Sequence, residues 1–323
     1  MQQKHFSNIS KKTLLLSLMV LGIIVCLLCP LIVFGNAFVF YAVWKDPLKN
    51  LRCSPTNFIL QSMSMADLLV GLILSPMHAY LLFSLAVAQK SALSFHEIAS
   101  LRNTLAGVSL AHVMLLSIDR HFAVVKPLKY KFIMTRRRIN LALSFLWLCY
   151  ICFGIATFLL KNSIFVVSIV FIAQMILLLQ FTYCFYGSIL YHLCKNHKAW
   201  QKRILQDHVR VNHQQLYAGM EGRLAKAMAL VIFISLFLIT PMFVLICLVY
   251  FCVPCYSYPV ILRVSTGWDV TLDYLNAAHS PLVYYWRLPK YREVSKYYVK
   301  NFFRCGIAAK RRHRETETFD TKL

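Results

Sequence analysis

The chain reads as an all-α, integral membrane bundle of seven transmembrane helices. Three observations carry that reading: an excess of apolar residues, their collection into seven long runs, and basic residues gathered on one side of those runs. Of its 323 residues 59% are hydrophobic and 15% charged, against roughly 45–50% and about 25% in soluble domains. The runs cover 13–44, 57–84, 97–125, 139–160, 163–194, 224–252 and 257–286, each at or beyond the roughly 17–25 residues that span a bilayer. The seventh is the weakest, since it carries Arg263, Asp269, Asp273 and His279.

The net charge is +23, which taken alone suggests nucleic acid. Its placement argues for no nucleic-acid partner, because the cations fill the gaps between runs and the tail. With the N-terminus outside, 28 of the 35 Lys and Arg residues lie on the inner side, and the positive-inside rule then fixes the topology. Residues 1–12 form an extracellular N-terminus, 13–286 the bundle and 305–323 a cytoplasmic tail. Asn8 opens an N-x-S glycosylation sequon on the outer side. The first run exceeds the 7–15 apolar residues of a secretory signal, so it is read as a retained helix. The link near 195–223 is basic and is expected to be a helical extension with a turn.

Polar residues inside the runs are costly in lipid and mark internal faces. In the seventh run Asp269, Asp273, Asn276, Ser280 and Tyr284 fall at spacings of 4, 3, 4 and 4, which puts them on one helical face. Asp67 is a lone carboxylate in the second run. With Asn36, Ser109, Asn276 and Ser280 it makes an oxygen-rich set suited either to Na⁺ or water, or to an interhelical hydrogen-bond network. Arg102 stands 18 residues, five helical turns, before Arg120, so the two cations share a face at opposite ends of the third run. Arg102 then has two readings, an acceptor for an acidic ligand group or an ion-pair partner of Asp273. Arg120 itself lies in Asp119-Arg120-His121, where burying a charge costs about 2.5–3.5 kcal/mol at mid-helix. Glu221, at the inner end of the sixth run, is its acidic candidate partner from another helix. Pro241 kinks that run and supplies a hinge.

These residues resemble the class A (rhodopsin-like) G-protein-coupled receptors. The resemblance rests on Gly35-Asn36, Met-Ala-Asp67-Leu, Ser-x-Asp119-Arg120-His121 with Pro127-Leu128, Trp147, Tyr183, Pro241, and Ser280-Pro281-Leu-Val-Tyr284. Tyr291 matches the aromatic that begins an amphipathic eighth helix, here 287–304. Within the class, the chain is most similar to the adenosine, melanocortin and cannabinoid group.

The resemblance implies a plasma-membrane receptor that passes an extracellular ligand signal to a heterotrimeric G protein, with no enzymatic activity. Asp119, Arg120, His121, Leu128, Glu221, Tyr183 and Tyr284 would couple and switch. Asp67, Asn36, Ser109, Asn276 and Ser280 would form a pocket for Na⁺ as an allosteric ion. Arg102, Asp273, Tyr274, Ile239 and Ile246 take the ligand-facing positions. Arg102 replaces the aspartate of amine receptors, and Tyr274 the retinal lysine. Ile239 and Ser280 replace the usual tryptophan and asparagine of the relay. Cys252 and Cys255 resemble an outer-loop disulfide pair.

Cys305 is a palmitoylation candidate, and the basic tail is expected to meet anionic membrane lipids. Thr316, Thr318 and Thr321 are phosphorylation candidates that would recruit arrestin. Thr321 to Leu323 resembles a PDZ ligand. The alternatives are a non-signalling or constitutively active partner of another receptor, and a transporter. A transporter predicts inverted repeats, and the chain shows none.

Overall fold

The computed structural model describes the backbone of residues 2–88, 91, 95–159, 164–206, 213–252 and 259–301. Side chains are described there except at 2–11, 95, 164–168, 196–225, 227, 242, 246, 249–251, 259–267 and 269. Among these residues the structure is helices and short turns, with no strand.

The first span is α1, Gln2–Lys45. It runs back through most of the expected N-terminal segment, because no glycine or proline interrupts the stretch before Gly22. The second span is composite: α2, Pro55–Leu69, a π-turn, Val70–Leu74, and α3, Ser75–Val87. Then come α4, Phe95–Val125; a short α5, Pro127–Ile133; α6, Arg136–Leu159; α7, Ile164–Gln206; α8, His213–Phe251; and α9, Pro259–Arg287. A last helix, α10, covers 289–301. Helices α7 and α8 extend well into the link near 195–223, as its sequence suggests.

Six of these stretches are long and apolar enough to cross a membrane. The seventh, α9, packs against α1 and α8 and supplies the polar stripe. Asn276, Ser280 and Tyr284 are buried on its inward face, and Leu275, Leu282 and Tyr285 point outward. Apolar side chains cover the outside of the bundle as well as its interior. Leu141, Phe145, Leu148 and Ile155 of α6 are all more than half exposed, which suits lipid contact and would be costly in water. The fold is thus an all-α, multi-pass membrane bundle with α4 at its centre, packed on α2, α6, α7 and α8.

The π-turn has a local cause. The Ser75 N–H donates to the Val70 carbonyl, an i→i−5 bond. The next residue, Pro76, has no N–H to continue that register onto Gly71. The Cys29 thiol of α1 donates to the Gly71 carbonyl instead, at 3.3 Å. Gly71 must be small here, since a Cβ would sit 2.8 Å from a Val33 methyl. Bulges of this kind recur at functional sites, and Val70 and Leu74 of this one line the cavity described next.

Candidate functional site: two charged ends of one helix

Helix α4 carries Arg102 near one end and Arg120 near the other, and the two cations sit in different surroundings. Arg120 is 2% exposed and Asp119 fully buried. Arg120 Nη2 lies 2.6 Å from Asp119 Oδ2, and its Nε donates to the same oxygen at 2.9 Å. The Thr56 hydroxyl of α2 donates to Asp119 Oδ2 at 2.9 Å and also accepts from Arg120. The Tyr130 hydroxyl of α5 donates to Asp119 Oδ1 at 2.9 Å and accepts from Arg120 Nη2 at 3.2 Å. Burial, reinforced by the Asp119 charge, pushes the Tyr130 phenol up to about 12, so it stays protonated and able to donate. Both carboxylate oxygens are thereby engaged, by residues of α2 and α4 and of the loop helix α5.

The partner expected from the sequence, Glu221, has a side chain outside the described residues. Thr56 and Tyr130 escaped the sequence reading because neither type is unusual where it stands. The one available signal is Tyr130 in a basic loop 11 residues after Asp119. His121 packs its ring edge-on to Phe185 of α7, with centroids 5.2 Å apart. Leu128 is 89% exposed on α5. Tyr183 bonds Thr240 of α8 at 2.7 Å, and Tyr284 is buried with its hydroxyl 3.7 Å from the Met63 sulfur. Neither tyrosine is seen bonded to Arg120.

A second carboxylate near this end is saturated in the same way. Asp46, 6% exposed with φ 41°, accepts the backbone N–H groups of Asn50, Leu51 and Arg52 at 2.9–3.1 Å. Burial alone would raise its pKa. The three bonds outweigh burial and hold it below the usual carboxylate range.

At the other end Arg102 Nη1 and Asp273 Oδ2 are 3.9 Å apart, with side chains 16% and 14% exposed. They border an open cavity with an empty volume of about 400 Å³, its mouth included. Its apolar wall includes Val70, Leu74, Leu105 and Ile239, and its deeper polar wall is Asp67, Ser109 and Asn276. Ser109 donates to Asp67 Oδ1 at 3.4 Å. Asn36 of α1 donates to the Ala277 carbonyl of α9 at 3.0 Å. Asp67 Oδ2, Asn276 Oδ1 and Ser280 Oγ are buried without a hydrogen-bond partner among the described residues. Tyr274 is buried beside this region, its hydroxyl 3.0 Å from His78 Nδ1 of α3. His78, two residues past Pro76, was not anticipated. Ile246 and Asp269 have side chains outside the described residues, as do Asn8, Cys255, Cys305 and the tail threonines. Cys252 is disulfide-bonded.

Trp147, identified by resemblance, donates from Nε1 to Ser62 Oγ at 2.9 Å, and His112 Nε2 meets the same oxygen at 2.8 Å. These two bonds tie α6 and α4 to α2.

The described residues thus form a helical membrane bundle with an internal Asp67, a buried Asp119–Arg120 pair and Pro281 inside a continuous α9. Residues 35–166 match the family described as 7 transmembrane receptor (rhodopsin family). It is similar to Probable G-protein coupled receptor 21 of Mus musculus, 32% identical over 127 residues, 39% of this chain and 35% of that protein. It is also similar to the Histamine H2 receptor of Cavia porcellus, 32% over 128 residues, 39% and 34% of the two chains. The 5-hydroxytryptamine receptor 2B of Dichotomyctere fluviatilis is 31% identical over 126 residues, 38% and 25%. The chain spans about a third of the length of the curated relatives it matches. None of these three carries the name of an adenosine, melanocortin or cannabinoid receptor.

Proposed function

We propose that this protein is a plasma-membrane receptor that transmits the binding of an extracellular ligand to a heterotrimeric G protein. The observation that carries the reading is the buried Asp119–Arg120 pair, held by Thr56 and Tyr130 beside the exposed Leu128. Thr56 and Tyr130 join α4 to α2 and to α5 through this network. Moving those elements apart releases the cation, which is the bistable arrangement a switch requires. The basic residues at that end support a cytoplasmic placement by the positive-inside rule, with the N-terminus outside. Freed Arg120 and the protruding Leu128 would then meet the G protein.

The pocket around Asp67 suits Na⁺ acting as an allosteric ion. Three of its oxygens lack a protein partner among the described residues, and hard cations take oxygen ligands. Arrestin recruitment through the tail threonines, PDZ capture of the C-terminus, palmitoylation of Cys305 and use of Asn8 remain parts of the same proposal. The test is G-protein activation in cells expressing the full chain, beside Arg120→Ala at matched surface level. Signal above the Arg120→Ala background, basal or ligand-evoked, is expected. Equal signal from both chains in every Gα class sinks the reading.

A further inference from the structure

We propose that the corner between α5 and α6 binds the headgroup of a polyanionic phospholipid, of the phosphoinositide class, through Arg136, Arg137 and Arg138. Placing that corner at the inner leaflet rests on the topology in the receptor reading above.

Charge is one-sided at this corner. Residues 126–138 contain Lys126, Lys129, Lys131, Arg136, Arg137 and Arg138 and no acid, and no Asp or Glu occurs from 121 to 206. All six cations are exposed, and among the described residues none of them forms an ion pair. Like charges at this density repel one another, so an anion from outside the chain is favoured.

Position selects a lipid over a soluble anion. On α6, Arg137 shares a helical face with Leu141, Phe145, Leu148 and Ile155, which follow it by 4, 8, 11 and 18 residues. Those four are turned to the outside of the bundle, and the buried Ile139, Leu143 and Tyr150 lie on the opposite face. Arg137 therefore ends the lipid-facing stripe about 6 Å before Leu141, at 1.5 Å per residue. With Leu141 in hydrocarbon, that is the level of the phosphate groups.

The other two guanidinium groups are held in place. Arg136 lies over the Phe58 ring of α2, 4.5 Å from its centroid. Arg138 Nη1 donates to the Phe132 and Ile133 carbonyls at the end of α5, at 3.0 and 3.3 Å. Met134 and Ile139 are buried and fix the corner to the bundle. Such ordering lowers the entropy lost when long side chains bind. Arginine also matches phosphate oxygens with paired N–H donors. Three guanidinium groups on consecutive residues suit more than one phosphate, which favours a polyphosphorylated headgroup over phosphatidylserine. Phe132, whose carbonyl takes the Arg138 bond, is 79% exposed and offers the lipid an apolar contact. Arg120 and Leu128, assigned above to the G protein, are not part of this site.

The test uses the full chain, purified and held in phosphatidylcholine nanodiscs. Its thermal midpoint is titrated with dioctanoyl phosphatidylinositol bisphosphate, with dioctanoyl phosphatidylserine, and with inositol trisphosphate as the free headgroup. The bisphosphate lipid is expected to raise the midpoint saturably, and each of the others to require about 10-fold more. Arg137→Gln is expected to weaken binding about 5-fold, and Arg136→Gln with Arg137→Gln about 25-fold, at roughly 5-fold per surface cation. Without lipid, Arg137→Gln should melt with the parent, because that side chain is exposed. Neutralising Lys310, Arg311, Arg312 and Arg314 in the tail is expected to leave the saturable shift in place. No saturable shift with the bisphosphate lipid overturns the inference. So does equal affinity for phosphatidylserine or for the free headgroup, or a loss that follows the tail variant instead. Unchanged lipid affinity in the double variant also overturns it, and weakened G-protein activation alongside would give the corner to the protein partner. A saturable shift in a chain that activates no G protein would count against the transduction reading while upholding the site.

Discussion

The two ends of α4 put the same residue type to opposite use. Arg120 is enclosed: its carboxylate partner is adjacent in sequence and accepts bonds from α2 and α5 as well. Arg102 is loosely paired at 3.9 Å across to α9, at the edge of a cavity. A saturated buried pair resists exchange, since removing one member leaves a buried charge unpaired. A wider, partly exposed pair is held less tightly. The difference teaches where stored energy lies. The Arg120 end is enclosed by its partners, and the Arg102 end is open at the edge of the cavity.

Breaking the enclosed end should have the largest effect. Asp119→Asn leaves Arg120 buried with neutral partners, and loss of one member of such a pair costs about 3–5 kcal/mol. The expected outcome is a lower thermal midpoint in detergent together with raised basal G-protein activation, read in the same preparation. A midpoint within error of the parent would mean that the pair does not hold this state.

Asp46 offers a second test of saturation at the same end. Asp46→Ala removes three backbone bonds to a charged acceptor, an expected loss of about 2 kcal/mol or more. Its pKa is depressed in the folded protein, so its contribution is present above the unfolded value of about 3.9 and fades as pH falls through the lower folded value. Stability against pH, compared between parent and variant, should therefore converge in acid. A constant gap down to acid pH would place its role in packing alone.

Smaller effects come from the neutral members of the network. Thr56→Val and Tyr130→Phe should each cost about 1–2 kcal/mol, and each should add less in an Asp119→Asn background than alone. Additive losses in that double-mutant cycle would show that the hydroxyls do not act through Asp119. The smallest effect belongs to the other end. Arg102→Gln should change stability by about 1 kcal/mol or less, because the pair is partly exposed and wide. A loss as large as that of Asp119→Asn would erase the contrast between the two ends.

Much of the fold was legible in the chain. The seven runs are set by hydropathy, which is local, and the face of α9 by a period of 3.6 residues. Asn276, Ser280 and Tyr284 accordingly lie buried where their spacing puts them. Asp67 and Ser109 do meet, and Arg102 does pair with Asp273, because charged and polar groups in lipid must find one another. Other features escaped a one-dimensional reading. The start of α1 at Gln2 reflects helix continuity in a polar segment that hydropathy cannot see. The π-turn depends on Pro76 together with a thiol 42 residues away. Thr56, Tyr130, His78 and Ser62 are ordinary residues whose importance lies in what they face.

The sequence by itself determined that the chain crosses a membrane several times and which residues of α9 point inward. Each of these follows from local chemistry repeated along a helix. Only the tertiary structure decided which hydroxyls close around Asp119, how loosely Arg102 is held, and that one cavity runs from that pair to Asp67. Those outcomes depend on the packing of helices whose partners lie 11 to 241 residues apart, a relation that no local pattern encodes.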